Sequence, residues 1–287
     1  MRFFLSTLGF VLAMGLRSAA QVSVEVLLDQ DQFLRDESLP IKVLITNRSG
    51  QVLHLGTEKN WLTFSIENRD GSAVARESDV PVEGEFSLES ALKATRRVDL
   101  MPYYDLDTPG RYRVSAIVRI KQWNEEITSK PKDFDIVRGV KLWEQDFGVP
   151  AAGGPPEARK YALQQATFLK QLRLYVRITD LSDKQVFRVV SVGSTVSFSH
   201  PEHEVDRESN LHVLFQTGAR AFQYCVVTPG GEVLQRQTHD YSPSRPALRS
   251  DENGRIHVAG GARRITPNDL PALSDLTSTN DVKVPQP

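Results

Sequence analysis

DLDTPGRYRVSAIVRI, residues 105–120, decides the class of the fold. A turn rich in Asp, Pro and Gly leads into Tyr112. Val114, Ala116 and Val118 then alternate with other side chains along the run. A period of two marks a strand with one buried face. The same period runs through VSVEVLL (Val22, Val24, Val26, Leu28), LPIKVLITN (Ile41, Val43, Ile45) and WLTFSIEN (Leu62, Phe64, Ile66). The turn signals NRSG at 47–50 and NRDG at 68–71 separate these runs, and no convincing amphipathic helix lies between them. Short strands at regular spacing predict an all-β sandwich.

A tyrosine behind a Pro-Gly turn, at the start of a strand, resembles the tyrosine corner of immunoglobulin-like sandwiches. There the hydroxyl bonds back to upstream backbone. Val114 stands where an antibody domain carries its second cysteine, so the resemblance is to disulfide-free bacterial Ig-like domains. More loosely, 22–137 is similar to macroglobulin-type domains and to the BsuPI-type proteinase-inhibitor domain, through an N-x-S-G turn after an early strand, a later D-x-x-G turn and a late P-G-x-Y. The resemblance covers under half of the chain and speaks to fold more than function. DFDIV, residues 133–137, reads as the closing strand.

Arg2, the mostly apolar run 3–16 and the small residues Ser18, Ala19 and Ala20 form a secretory leader pattern, with cleavage expected after Ala20. The run is shorter than the roughly 20 residues a bilayer requires. The expectation is an exported protein, periplasmic or extracellular, with no integral membrane segment after cleavage. The chain has 35 basic and 36 acidic side chains, and the leader holds two of the basic ones, Arg2 and Arg17. That balance attracts neither nucleic acid nor an anionic membrane. Cys225 is the only cysteine, so no intramolecular disulfide supports the fold.

Gly153, Gly154, Pro155 and Pro156 break the pattern. The expected organisation is a leader at 1–20, an Ig-like β-sandwich at 21–140, a linker at 141–156, a second β domain at 157–265 and a disordered tail at 266–287. Trp143 and Phe147 are expected to pack across the junction. Residues 157–170 read as strand or helix, with strand preferred.

Beyond them, an apolar–aromatic–Val slot recurs as Leu174-Tyr175-Val176, Leu211-His212-Val213 and Ile256-His257-Val258. Asp206 and Asp251 precede the last two cores at equal distance. Units of this length, with several short strands each, resemble β-propeller blades. About two units cannot close a ring, so two packed antiparallel sheets are expected.

SHPEHEVD, residues 199–206, spaces His200, His203 and Asp206 by three, with Glu202 and Glu204 between. Imidazoles and carboxylates can bind zinc. Pro201 and the flanking strand texture favour a solvated turn, so no metal ligand is assigned. His212 and His257 are read as half-exposed strand residues, interchangeable with Tyr175. Cys225, in FQYCVV, is read as a core residue rather than a nucleophile. The carboxylate pairs Glu83/Glu85 and Glu125/Glu126 define no cleft by sequence. The sequon NRS at 47–49 falls in a turn, and its meaning depends on the host.

No catalytic residue, cofactor site or metal site is expected. The function expected is an exported, non-enzymatic binding or scaffolding protein that contacts a protein or glycan of the cell envelope or exterior. The alternatives are a proteinase inhibitor, using the loop 77–86, and a metal-dependent hydrolase at His200 and His203.

Overall fold

The computed structural model describes residues 22–149 and 155–271. The expected leader lies outside them, as do Gly153, Gly154 and most of the expected tail. The described residues are all-β, with no α-helix and twenty-one strands. None of their helical turns is long and apolar enough to cross a membrane.

The first unit contains β1 (Val22–Leu28), β2 (Gln32–Leu34), β3 (Pro40–Asn47), β4 (Leu53–Leu55), β5 (Leu62–Asn68), β6 (Phe86–Leu88), β7 (Lys93–Asp99), β8 (Gly110–Ile120), β9 (Glu125–Thr128) and β10 (Lys132–Val137). One sheet runs β1-β3-β7 and a second runs β2-β10-β8-β5, with β9 on β8. They enclose a single core that includes Val24, Ile41, Val43, Leu62, Phe64 and Phe134. The strand of the opening stretch, β8, lies inside the second sheet between β10 and β5. Val114, Ala116, Val118 and Ile120 on it are fully buried. Burying each Val or Ile is worth about 1.5–3 kcal/mol. The Tyr112 hydroxyl donates to the Thr108 carbonyl, and its ring stacks on Phe134 at 5.6 Å.

Asn47 is buried, and its side-chain amide donates to the carbonyls of Gln51 (2.7 Å) and Leu88 (2.8 Å). The sequon asparagine therefore braces its own turn against the end of β6. Loop 77–86 is pinned at its centre: Val82 is buried, and Trp61 Nε1 donates to its carbonyl at 3.0 Å.

The second unit contains β11 (Val140–Val149), β12 (Glu157–Phe168), β13 (Gln171–Asp180), β14 (Val186–Thr195), β15 (Glu202–Val205), β16 (Leu211–Gln216), β17 (Ala221–Val227), β18 (Val233–Asp240), β19 (Ala247–Ser250), β20 (Ile256–Ala259) and β21 (Ala262–Arg264). An antiparallel sheet β11-β12-β13-β14 faces a second, β15-β16-β17-β18-β21. Leu163, Leu174 and Val176 of one meet Leu211, Val213 and Phe215 of the other in a shared core. These are the two packed antiparallel sheets expected. Residues 157–168 are strand, the preferred alternative.

Three expectations are corrected. The segment assigned to a linker is mostly β11, paired with β12 over nearly its whole length. In sequence the Gly-Pro cluster lies between these two paired strands, and Gly and Pro mark a break in a strand pattern without saying that a domain ends there. The chain passes from β10 to β11 through Arg138 and Gly139 alone. Trp143 and Phe147 consequently belong to the second unit, where they stack on His203 and Tyr161, each at 4.0 Å. Residues 266–270 of the expected tail are held in place: Thr266 Oγ1 donates to Asp269 Oδ1 at 2.8 Å, and Leu270 and Arg236 exchange backbone hydrogen bonds.

The recurring slot is not a repeated blade. Leu174 and Val176, like Leu211 and Val213, face the shared core from interior strands. Ile256 and Val258 lie instead in the separate two-stranded β19–β20 hairpin, which covers the outer face of the second sheet through Leu214, Phe222 and Tyr224. What recurs is a turn. At 68–72, 206–210, 228–232 and 251–255, the first residue's N–H donates to the fifth residue's carbonyl, and its side-chain oxygen accepts from the fifth residue's N–H. The fourth residue (Gly71, Ser209, Gly231 or Gly254) has φ between 65° and 84°. An Asp, Asn or Thr at the first position is chosen by that bond.

Across the junction, Leu34 packs with Ala166, Tyr175 and Val189. Gln32 Nε2 donates to the Thr167 carbonyl at 2.6 Å, and Arg177 pairs with Asp36. The outer face of the β11–β14 sheet is thereby covered by the first unit.

Candidate functional site

The middle of the cluster 199–206 is strand β15, Glu202–Val205, rather than a solvated turn. β15 pairs with β16, setting His203 opposite Val213 and Glu204 opposite His212. Alternation then divides the cluster. His203 turns inward onto the Trp143 ring, and burial pushes its imidazole below the usual histidine range. Glu202 Oε2 accepts the Leu248 N–H at 2.8 Å. His200 is exposed before the strand. His200, His203 and Asp206 are thus not brought together. No three His, Cys, Asp or Glu side chains among the described residues converge on a metal-sized site.

Asp206 belongs to another constellation. Its Oδ2 lies 3.0 Å from His212 Nε2, and His212 Nδ1 lies 2.6 Å from the Tyr224 hydroxyl. The ionised carboxylate places the ring hydrogen on Nε2, so the Tyr224 O–H donates to Nδ1. Asp206 also accepts from the backbone N–H groups of Glu208 (2.9 Å) and Asn210 (2.8 Å) and from Asn210 Nδ2 (3.0 Å). Burial raises the Asp206 carboxyl, but the bonds from His212 and Asn210 outweigh it and hold the group below the usual carboxylate range. Burial pushes the Tyr224 hydroxyl up to about 12.

The expectation of a half-exposed His212 is therefore corrected: it is buried, and both ring nitrogens are engaged. The line Asp–His–Tyr has the order of a nucleophilic triad. Its terminal hydroxyl, however, is buried, held protonated and already donating. His257 does face solvent, on the hairpin.

Cys225 is fully buried, and burial raises its thiol to about 12 despite the nearby Arg236 charge. It packs as a core residue. Glu83, Glu85, Glu125 and Glu126 are exposed, and Glu126 pairs with Arg119 at 3.2 Å.

One constellation escapes a motif search. A cavity of about 480 Å³ in the second unit is lined by Arg236 and Arg264 and, from the strand face turned to the first unit, by Arg173. The pairing registers show how it arises. Cys225 lies opposite Arg236, Gln223 opposite Thr238, and Thr238 opposite Arg264. Directly paired residues share a face. The inner face that carries Cys225 and Val227 in the core therefore turns polar at Gln223, Arg236, Thr238 and Arg264. Ser194, Thr217 and Asn268 add hydroxyl and amide groups, and no Asp, Glu or His lines the cavity. Gly193, at φ +147°, leaves room for the Gln223 amide: a Cβ there would sit 2.6 Å from Gln223 Oε1. The signal in the sequence is the broken alternation of VLQRQTHD, residues 233–240, where inward positions are polar.

No protein-family model matches the chain, and no curated protein matches it. Among solved structures, the sporulation control protein Spo0M from Bacillus subtilis is similar at a TM-score of 0.31 and 10% sequence identity, over 55% of this chain and 79% of that one.

Proposed function

We propose that the chain is an exported, non-enzymatic binding or scaffolding protein whose β units contact a protein or glycan of the cell envelope or exterior. The arginine-lined cavity carries the reading. It offers positive charge and hydrogen-bond donors with no carboxylate or imidazole in its wall. A site so equipped can hold a ligand but lacks the general base that most hydrolytic chemistry requires. The groups that could supply such chemistry are occupied elsewhere, His212 between Asp206 and Tyr224, and Cys225 in the core. The first unit is assigned to the immunoglobulin-like sandwiches, a reading supported by the bond from Tyr112 to Thr108. The pinned centre of loop 77–86 weighs against a protease-inhibiting loop.

The test is capture from the host's envelope fraction with tagged protein lacking the first 20 residues, alongside a panel of peptide and glycoside substrates. Saturable capture of one partner without turnover is expected. Turnover abolished by a single substitution overturns the reading.

A further inference from the structure

We propose that the arginine-lined cavity is a binding site for a tetrahedral oxoanion, phosphate or sulfate, carried on a hydroxyl-rich sugar. The inference rests on the binding reading above and assigns its ligand chemistry.

Of the three arginines, only Arg264 has a carboxylate partner among the described residues, Asp240 at 2.9 Å. Arg173 donates to the neutral Gln30 amide at 3.0 Å and lies over the Phe168 ring at 3.7 Å. Glu37 feels the Arg173 charge, but its carboxylate accepts from the Leu34 N–H. Arg236 Nε is buried and has no hydrogen-bond partner. A buried Nε–H without an acceptor carries a desolvation cost that an apolar residue at the same strand position would avoid. An oxoanion removes the cost, because its oxygens match the planar fork of arginine donors.

Neutral polar groups accompany the arginines. Hydroxyls at Thr217 and Thr238 and amides at Gln223 and Asn268 both donate and accept. A bare anion accepts only, and it leaves the accepting capacity of these groups unused. Sugar hydroxyls use both. The cavity volume, about 480 Å³, falls within the range that encloses a small ligand.

The experiment is calorimetric titration of the protein at low salt, where screening is least. The probes are sodium sulfate, inorganic phosphate, glucose 6-phosphate and glucose. Expected is saturable binding of glucose 6-phosphate, tighter than phosphate or sulfate alone, with none for glucose. Arg236→Gln should weaken it about tenfold or more, since charge-assisted bonds are lost. Arg255→Gln, on the exposed hairpin, should leave it unchanged. Thermal melts establish that each variant folds, and Arg264→Gln carries the same expectation should Arg236→Gln not fold.

The proposal falls if the wild type binds no anion, if glucose binds as well as its phosphate, or if Arg236→Gln and Arg255→Gln weaken binding equally. Binding of the free anions as tight as that of glucose 6-phosphate sinks the sugar assignment. If anions fail to bind while the envelope partner is still captured, only the cavity assignment is lost. Turnover of a substrate removes the binding reading itself.

Discussion

Asp206 and Asp251 start turns of one geometry, yet they stand in different company. Asp251 accepts only backbone N–H groups, from Asn253 and Arg255. Asp206 does the same work for its own turn and also holds His212 and the Asn210 side chain. Asp251→Ala should cost little, because the two turn bonds it removes lie at the surface and water replaces them. Asp206→Ala should cost about 3 kcal/mol or more, because it strands a buried imidazole. Urea unfolding of the two variants measures the difference, and equal losses would remove the special role of Asp206.

Proton linkage belongs to the same scale. Burial lowers the His203 and His239 pKa values, so below the ordinary histidine value of about 6.5 the unfolded chain binds protons that the folded chain refuses. Stability should fall as pH drops through that value. The lowered carboxylates Asp206 and Asp269 extend the loss into more acid conditions, since their stabilisation is present above the unfolded pKa and disappears as pH falls through the folded one. His203→Phe keeps a ring on Trp143, and it should reduce the drop in Tm between about pH 7.5 and 5.5. Of these residue-scale features the sequence displayed the aspartates and histidines but not their pairing, because Asp206, His212 and Tyr224 meet only once β16 and β17 are in register.

At the scale of elements, strands were readable wherever one face is buried. β8 shows this, with its alternating burial from Tyr112 to Ile120. β11 is less legible: most of it is exposed or half-exposed, so its alternation does not stand out. The apparent repeat misled for a physical reason. A hairpin turn with an oxygen-bearing first residue, followed by an apolar strand, is a local solution that a chain can reuse in unrelated places. The arginine cavity was hidden likewise, since a polar residue at an inward position resembles an edge until the opposite sheet is known.

The junction makes its own prediction. Arg177 and Asp36 are mostly buried, with side-chain exposures of 13% and 20%. Asp36→Asn, which suits the φ of 64° at this position, should destabilise the protein by about 1–3 kcal/mol by removing the counter-charge of that guanidinium. Asp36→Asn combined with Arg177→Met should recover much of it. Chemical denaturation of both variants checks the pair.

At the scale of the whole molecule, the two units share packed surface and a connection of only Arg138 and Gly139. They should unfold in a single calorimetric transition. A Gly-Ser insert of about four residues between Arg138 and Gly139 lengthens the tether enough to uncouple them. It should split that transition or broaden it. An unchanged single peak at the wild-type Tm would show that the connection itself does not couple them.

A joint this short has a mechanical meaning. Units on a long tether tell a partner only how far away a cargo lies. Under the proposed binding role, a partner holding the first unit would also fix the direction in which the cavity of the second points, as a set square does and a string does not.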